Sequence, residues 1–223
     1  MSIRQNLNHI KSQLPKHVTL VAVSKTKPVE DLMEAYEVGQ RIFGENKIQE
    51  MADKHEQMPT DIEWHMIGHV QRNKVKYMAE FVNLIHGVDS FKLLQEINRQ
   101  ALKHERIINC LLQIKIAEET SKFGMTAENA KNVLISEDFK TLKNIVITGL
   151  MGMATFTADQ KQVEREFKTL KTTFDDLKSF QSENCDLHTV SMGMSGDFKL
   201  AITCGSTMVR VGSSIFGSRN YNN

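Results

Sequence analysis

Residues 18–28, VTLVAVSKTKP, run from an apolar, β-branched stretch into a polar turn that ends on Pro28. Five apolar residues and a threonine in a β-branched run without helical spacing predict a strand. Proline is favoured at a helix start, and a helical pattern opens there. Alternation puts Val21, Val23 and Lys25 on one face, so valines that point inward would set Lys25 at the end of the strand.

Seven further short apolar runs follow, at residues 41–43, 63–67, 81–86, 110–116, 145–150, 187–191 and 208–211. Segments of helical spacing lie between them. Val163, Phe167, Leu170, Phe174 and Leu177 form one stripe, and Phe91, Leu94, Ile97 and Ala101 form another. Eight strands, each followed by a helix and undivided by any linker, predict one closed parallel (β/α)8 barrel of the TIM type, a single domain over residues 1–223. An open doubly wound sheet is the competing topology.

Composition agrees with a folded chain: of 223 residues, 40% are hydrophobic and 25% charged, which excludes disordered and fibrous classes. Lys+Arg 28 against Asp+Glu 27 gives a net charge of +1, so neither nucleic acid nor a membrane surface is an expected partner. Cys110, Cys185 and Cys204 are odd in number and widely spaced, which argues against a disulfide framework and fits a reducing cytoplasm. The polar start, MSIRQNLNHIKSQLPK, lacks the apolar centre of a signal peptide, so export by that route is not expected. The longest uncharged stretch, 144–158, is shorter than the ~20 apolar residues of a spanning helix.

A barrel of this kind works at the carboxyl ends of its strands. The polar residues there are Lys25, Glu45, Asn46, His65, His86, Lys115, Ser191 and Arg210. A desolvated Lys25 amine would be nucleophilic and suited to imine formation with an aldehyde; a solvated lysine that merely closes the strand is the other reading. Lys27 shares its parity but precedes Pro28, in a loop already leaving the sheet.

Near the other end, Gly205, Gly212 and Gly217 bracket a strand, and Ser213 and Ser214 lead into a helical segment. Backbone N–H groups at such a start, with Ser191, Gly193, Ser195 and Gly196 in the preceding loop, would make an anion site; ordinary turns have the same composition. Arg210 shares parity with Met208 and Gly212 and should face the same mouth, where it could donate to a heterocyclic nitrogen or form a structural ion pair.

His65 and His69 lack the carboxylate that a metal site would need, and none is expected. The twelve methionines are read as gap-filling core, Trp64 as core or the wall of the mouth, and residues 47–56 as a solvated helix face.

Seven blocks, VAVSKTKP, FGENKIQE, EWHMIGHVQRNK, ETSKFGM, GLMGM, SMGMSGDFKLAI and GSTMVRVGSSIFGSRNY, resemble those of the pyridoxal 5′-phosphate (PLP) homeostasis proteins. Their barrel is similar to the N-terminal domain of alanine racemase, of PLP fold type III. The resemblance spans residues 21–221. It implies that Lys25 holds PLP as an internal aldimine and that Arg210 lies by the pyridine nitrogen. It also implies that Ser191, Ser195, Gly212 and Ser213 gather around the phosphate, with Asn46 and His65 near the cofactor.

An unprotonated pyridine nitrogen is a poorer electron sink than a protonated one. Racemases of this fold add an acid/base from a second domain, and this chain ends at Asn223, soon after the last block. The expectation is therefore a cytoplasmic, monomeric PLP carrier that serves vitamin B6 homeostasis, delivers to apo PLP-dependent enzymes, and is not itself an enzyme of strong turnover. Three rivals stand beside it. One is an amino-acid racemase with Tyr221 or Tyr77 as second base; another is a cofactor-free Schiff-base aldolase; the third is an interaction module for which bound PLP is a signal.

Overall fold

The computed structural model describes residues 2–118 and 123–217. Its strands are β1 (Thr19–Val23), β2 (Ile42–Glu45), β3 (Glu63–Met66), β4 (Leu84–Val88), β5 (Ile108–Gln113), β6 (Ile145–Met151), β7 (Cys185–Ser191) and β8 (Met208–Val211). Each pairs in parallel with the next, and β8 pairs with β1, so the sheet closes and the open alternative is excluded. Closure sets Val21 beside Arg210 in register.

The helices are α1 (Ile3–Ser12), α2 (Val29–Glu37), α3 (Ile48–His55), α4 (Phe91–Lys103), α5 (Ala127–Ile135), α6 (Glu137–Lys140), α7 (Gln160–Leu177), α8 (Phe198–Thr203) and α9 (Ser213–Phe216). Between β3 and β4 stands a 3₁₀ helix, Arg72–Tyr77, where an α-helix was expected. Arg72 and Lys76 are i,i+4 like charges, which oppose an α-helical turn.

Two apolar regions hold the barrel. Val21, Ile67, Leu84, Leu111, Met151 and Met208 fill its interior. The larger core lies between sheet and helices, where α7 buries Val163, Phe167, Leu170, Phe174 and Leu177, the stripe read from spacing. Full burial of such side chains stabilises by about 1.5–3 kcal/mol each. Trp64 belongs to this core. Among the described residues, no helix is long and apolar enough to cross a membrane.

Some expected boundaries move. The fifth strand ends at Gln113, short of residue 116, and leaves Lys115 exposed. The fourth starts at Leu84 and buries His86 within it. Residues 47–56 are not simply a solvated face: α3 buries Ile48, Met51 and Lys54.

Candidate functional site

The carboxyl ends of the strands open on a cavity of about 580 Å³. Lys25, Asn46, Ser195, Arg210, Gly212 and Ser213 all line it. The parity of β1 and β8 explains two of these placements. Val21 and Met208 pack inside the barrel, so the residues that follow in step, Lys25 and Arg210, rise into its mouth.

Lys25 sits two residues beyond β1, half-buried, in a turn that continues through Thr26. Lys27 also lines the cavity, and its ammonium donates to the Phe216 carbonyl at 2.7 Å, tying this turn to α9. Gly68, on the same wall, touches the β2–α3 loop so closely that a Cβ there would meet the Asn46 carbonyl oxygen at 2.4 Å. Only glycine permits that approach, and it sets Asn46 at the rim.

The Ser195 hydroxyl reaches into the start of α9, where its oxygen accepts from the Gly212 N–H at 3.2 Å and the Ser214 N–H at 3.4 Å. Two backbone donors thus converge on one oxygen at the cavity wall. That is the arrangement by which backbone N–H groups bind anionic oxygens.

Arg210 is 4% exposed. Its Nη1 donates to Ser191 Oγ at 2.6 Å and its Nη2 to the Gly152 carbonyl at 3.1 Å. Burial pushes its pKa down to about 10, with Asp197 opposing, so the guanidinium stays charged at neutral pH. Asp197 shares the wall; burial raises its carboxyl pKa, against a hydrogen bond from the Met194 N–H and the charge of Arg210.

Ser191 and His65 do not line the cavity. Ser191 is fully buried beneath it as the partner of Arg210, and His86 and His65 continue inward from there. Neither histidine is exposed by more than 3%, and burial lowers both of their pKa values, His65 to about 3.

Several lining residues escaped the sequence reading. Gln113 shares the parity of Leu111, so ending the strand correctly would have selected it over Lys115. His69 stacks on Phe123, 4.4 Å between ring centres, and lies 3.3 Å from Asp89. Met153 and Met194 line the mouth and are more than core filler. Tyr77 lies outside the cavity wall, half-exposed beside Lys74 and Lys76. Tyr221 and residues 119–122 of the ETSKFGM block lie outside the described residues. Among the described residues, no group of three or more His, Cys, Asp or Glu is arranged to hold a metal ion.

Comparison with known proteins adds a family to this geometry. The family described as alanine racemase, N-terminal domain, matches residues 1–220. A pyridoxal phosphate homeostasis protein of Vibrio alginolyticus is 39% identical, with 99% of each chain covered. The protein of that name from Escherichia coli K12 is 36% identical over 93% of this chain and 88% of its own. PipY of Synechococcus elongatus PCC7942, solved with PLP bound, superposes with a TM-score of 0.88 at 34% identity, covering 97% of this chain and 100% of its own. Alanine racemase of Clostridium difficile 630 shares the fold alone, with a TM-score of 0.78 at 18% identity over 99% of this chain and 61% of its own.

Proposed function

The chain belongs to the pyridoxal phosphate homeostasis protein family, and from that membership we propose that it binds PLP in the barrel mouth as an imine on Lys25. In this reading it stores and supplies the cofactor in the cytoplasm without strong catalytic turnover. The observation that carries it is the convergence on one cavity of an amine, a cation and a serine-glycine loop, from Lys25, Arg210 and Ser195, Gly212 and Ser213.

That donor set fits the cofactor. Lys25 supplies a primary amine for the aldehyde: its nitrogen bonds to the carbonyl carbon, and water leaves. The hydroxyls of Ser195 and Ser213, with the Gly212 N–H that here donates to Ser195 Oγ, suit the phosphate oxygens. Arg210 can only donate, which suits an unprotonated ring nitrogen. Gly212 lets the loop lie against β1, since a Cβ there would stand 3.0 Å from the Val23 carbonyl oxygen. Ser191 and His65 serve at one remove, by holding Arg210 from below.

When bound, PLP supplies an aldehyde for amines and a ring that withdraws electrons. Arg210 limits the second property. Its pKa, lowered only to about 10, keeps it a donor at neutral pH, so a nitrogen facing it carries no proton of its own. A ring nitrogen held without a proton would make that ring a poorer electron sink, which favours storage over racemisation. The buried free thiols of Cys110, Cys185 and Cys204 support a reducing compartment.

The test is intact mass before and after borohydride, with mapping of the modified peptide. The expected result is one PLP per chain fixed on Lys25, and none in a Lys25→Ala chain. A borohydride-stable adduct that persists at the wild-type level in that variant overturns the assignment. Rapid α-proton exchange of L-alanine in deuterated water would favour the racemase, and a colourless chain the aldolase.

A further inference from the structure

A buried charged group grips the turn that carries Lys25 from behind. Lys54, in the last turn of α3, is 5% exposed, and its ammonium lies 2.8 Å from each of three oxygens: the Ser24 carbonyl, Glu45 Oε1 and Glu50 Oε1. An ammonium has three N–H bonds, and all three are used. Two further contacts bind the turn to the same hub. The Ser24 hydroxyl donates to Glu45 Oε1 at 2.6 Å, and the Thr26 N–H donates to Glu50 Oε1. Both neighbours of Lys25 are therefore held by one cluster.

The turn needs holding. Thr26 sits at φ +63°, where a β-branched residue is strained and persists only if its surroundings fix it. Burying the cluster is also costly. Glu45 is 0% exposed and its Oε2 has no hydrogen-bond partner, an arrangement that a freely solvated loop would not require. Lys54 itself does not line the cavity.

We propose that Lys54, Glu45 and Glu50 form a positioning unit that fixes the turn at residues 24–26, so that the Lys25 amine meets an aldehyde bound in the mouth. This rests on the reading of Lys25 as the imine-forming amine. The unit takes no part in the bond change. Lys25 nitrogen bonds to the aldehyde carbon, the two amine protons leave with the carbonyl oxygen as water, and Lys54 only holds the turn.

Lys54→Met would strand two carboxylates beside each other and could fail to fold, so the test uses the more exposed member, as Glu50→Ala and Glu50→Gln, with Lys54→Arg alongside. Two quantities are read on the full chain. One is the share of total bound PLP that borohydride fixes on Lys25. The other is amide hydrogen exchange of residues 24–26 in protein stripped of PLP.

Glu50→Ala is expected to speed that exchange roughly tenfold, as loss of one charge-assisted hydrogen bond would. It should also lower the fixed share severalfold while total bound PLP is retained. Glu50→Gln and Lys54→Arg, which keep hydrogen-bonding atoms in place, should fall between it and wild type. Equal fixed shares in wild type and Glu50→Ala overturn the clamp, as does a loss of total PLP with exchange unchanged. A wild-type chain with no adduct on Lys25 is a different result: it overturns the functional reading on which the clamp depends.

Discussion

Arg210 on β8 and Ser191 on β7 are joined by a 2.6 Å hydrogen bond from Nη1 to Oγ, and that bond begins a chain across the barrel floor. His86 Nδ1 lies 3.1 Å from the same hydroxyl, and His86 Nε2 lies 3.1 Å from His65 Nδ1. Arg210 can only donate, so the hydroxyl accepts from it and keeps its own proton for His86. The other His86 nitrogen then carries the proton and donates it to His65 Nδ1.

Ser191→Ala removes the acceptor beneath Arg210 and leaves a buried guanidinium N–H unpaired. A loss of about 1–3 kcal/mol is expected, read from urea unfolding at neutral pH. The floor beneath the cavity would also loosen, so if PLP sits there as proposed it should dissociate faster than from wild type. Unchanged stability would show that the hydroxyl does not hold the arginine.

His65 and His86 make the fold sensitive to acid. Both pKa values are lowered by burial, His65 from 6.5 to about 3, with His86 further opposed by the charges of His65 and Arg210. Below pH 6.5 the unfolded chain takes up protons that the folded chain refuses. Stability from each histidine is therefore complete above pH 6.5 and lost as pH falls, at about 1.4 kcal/mol per unit. Urea midpoints measured between pH 7.5 and pH 5 should drop steeply, and His65→Asn should flatten the slope. Parallel slopes for the two proteins would contradict it.

Glu166 on α7 anchors the segment after β6. It accepts from Thr155 N–H at 2.6 Å, Thr155 Oγ1 at 2.7 Å and the Glu118 N–H at 3.1 Å. Burial alone would raise its carboxyl pKa, yet these bonds hold it below the usual range. Glu166→Ala should release residues 153–158, which carry the exposed Phe156, and proteolysis should cut there first. Equal resistance in both chains would remove this role.

The thiols should be silent in the native protein. Burial raises the pKa of Cys110 and Cys204 and pushes Cys185 up to about 11, so little thiolate exists at pH 8. A disulfide reagent should modify all three rapidly in denaturant and only as fast as the chain opens without it. Immediate native reaction of Cys110 would mean that its strand is not closed.

Much of the barrel was legible because its signals are local. A run such as residues 18–23 reads as a strand whatever surrounds it, and the step of two residues places Lys25 and Arg210 with no knowledge of neighbours. Strand ends were less legible. Nothing nearby in the chain distinguishes Gln113 from Lys115, which share parity, and only pairing with β6 stops the fifth strand at Gln113.

The sequence by itself carried the order of strands, most of the faces the helices bury and the step of two residues that leads to Lys25 and Arg210, since each follows from residue type and short-range periodicity. Tertiary structure alone decided that Lys54 is buried among Ser24, Glu45 and Glu50, and that Ser191, His86 and His65 form a floor beneath Arg210. These groups come from separate strands and helices. Their charges and hydrogen bonds acquire partners only when closure of the sheet removes the water that would otherwise solvate them.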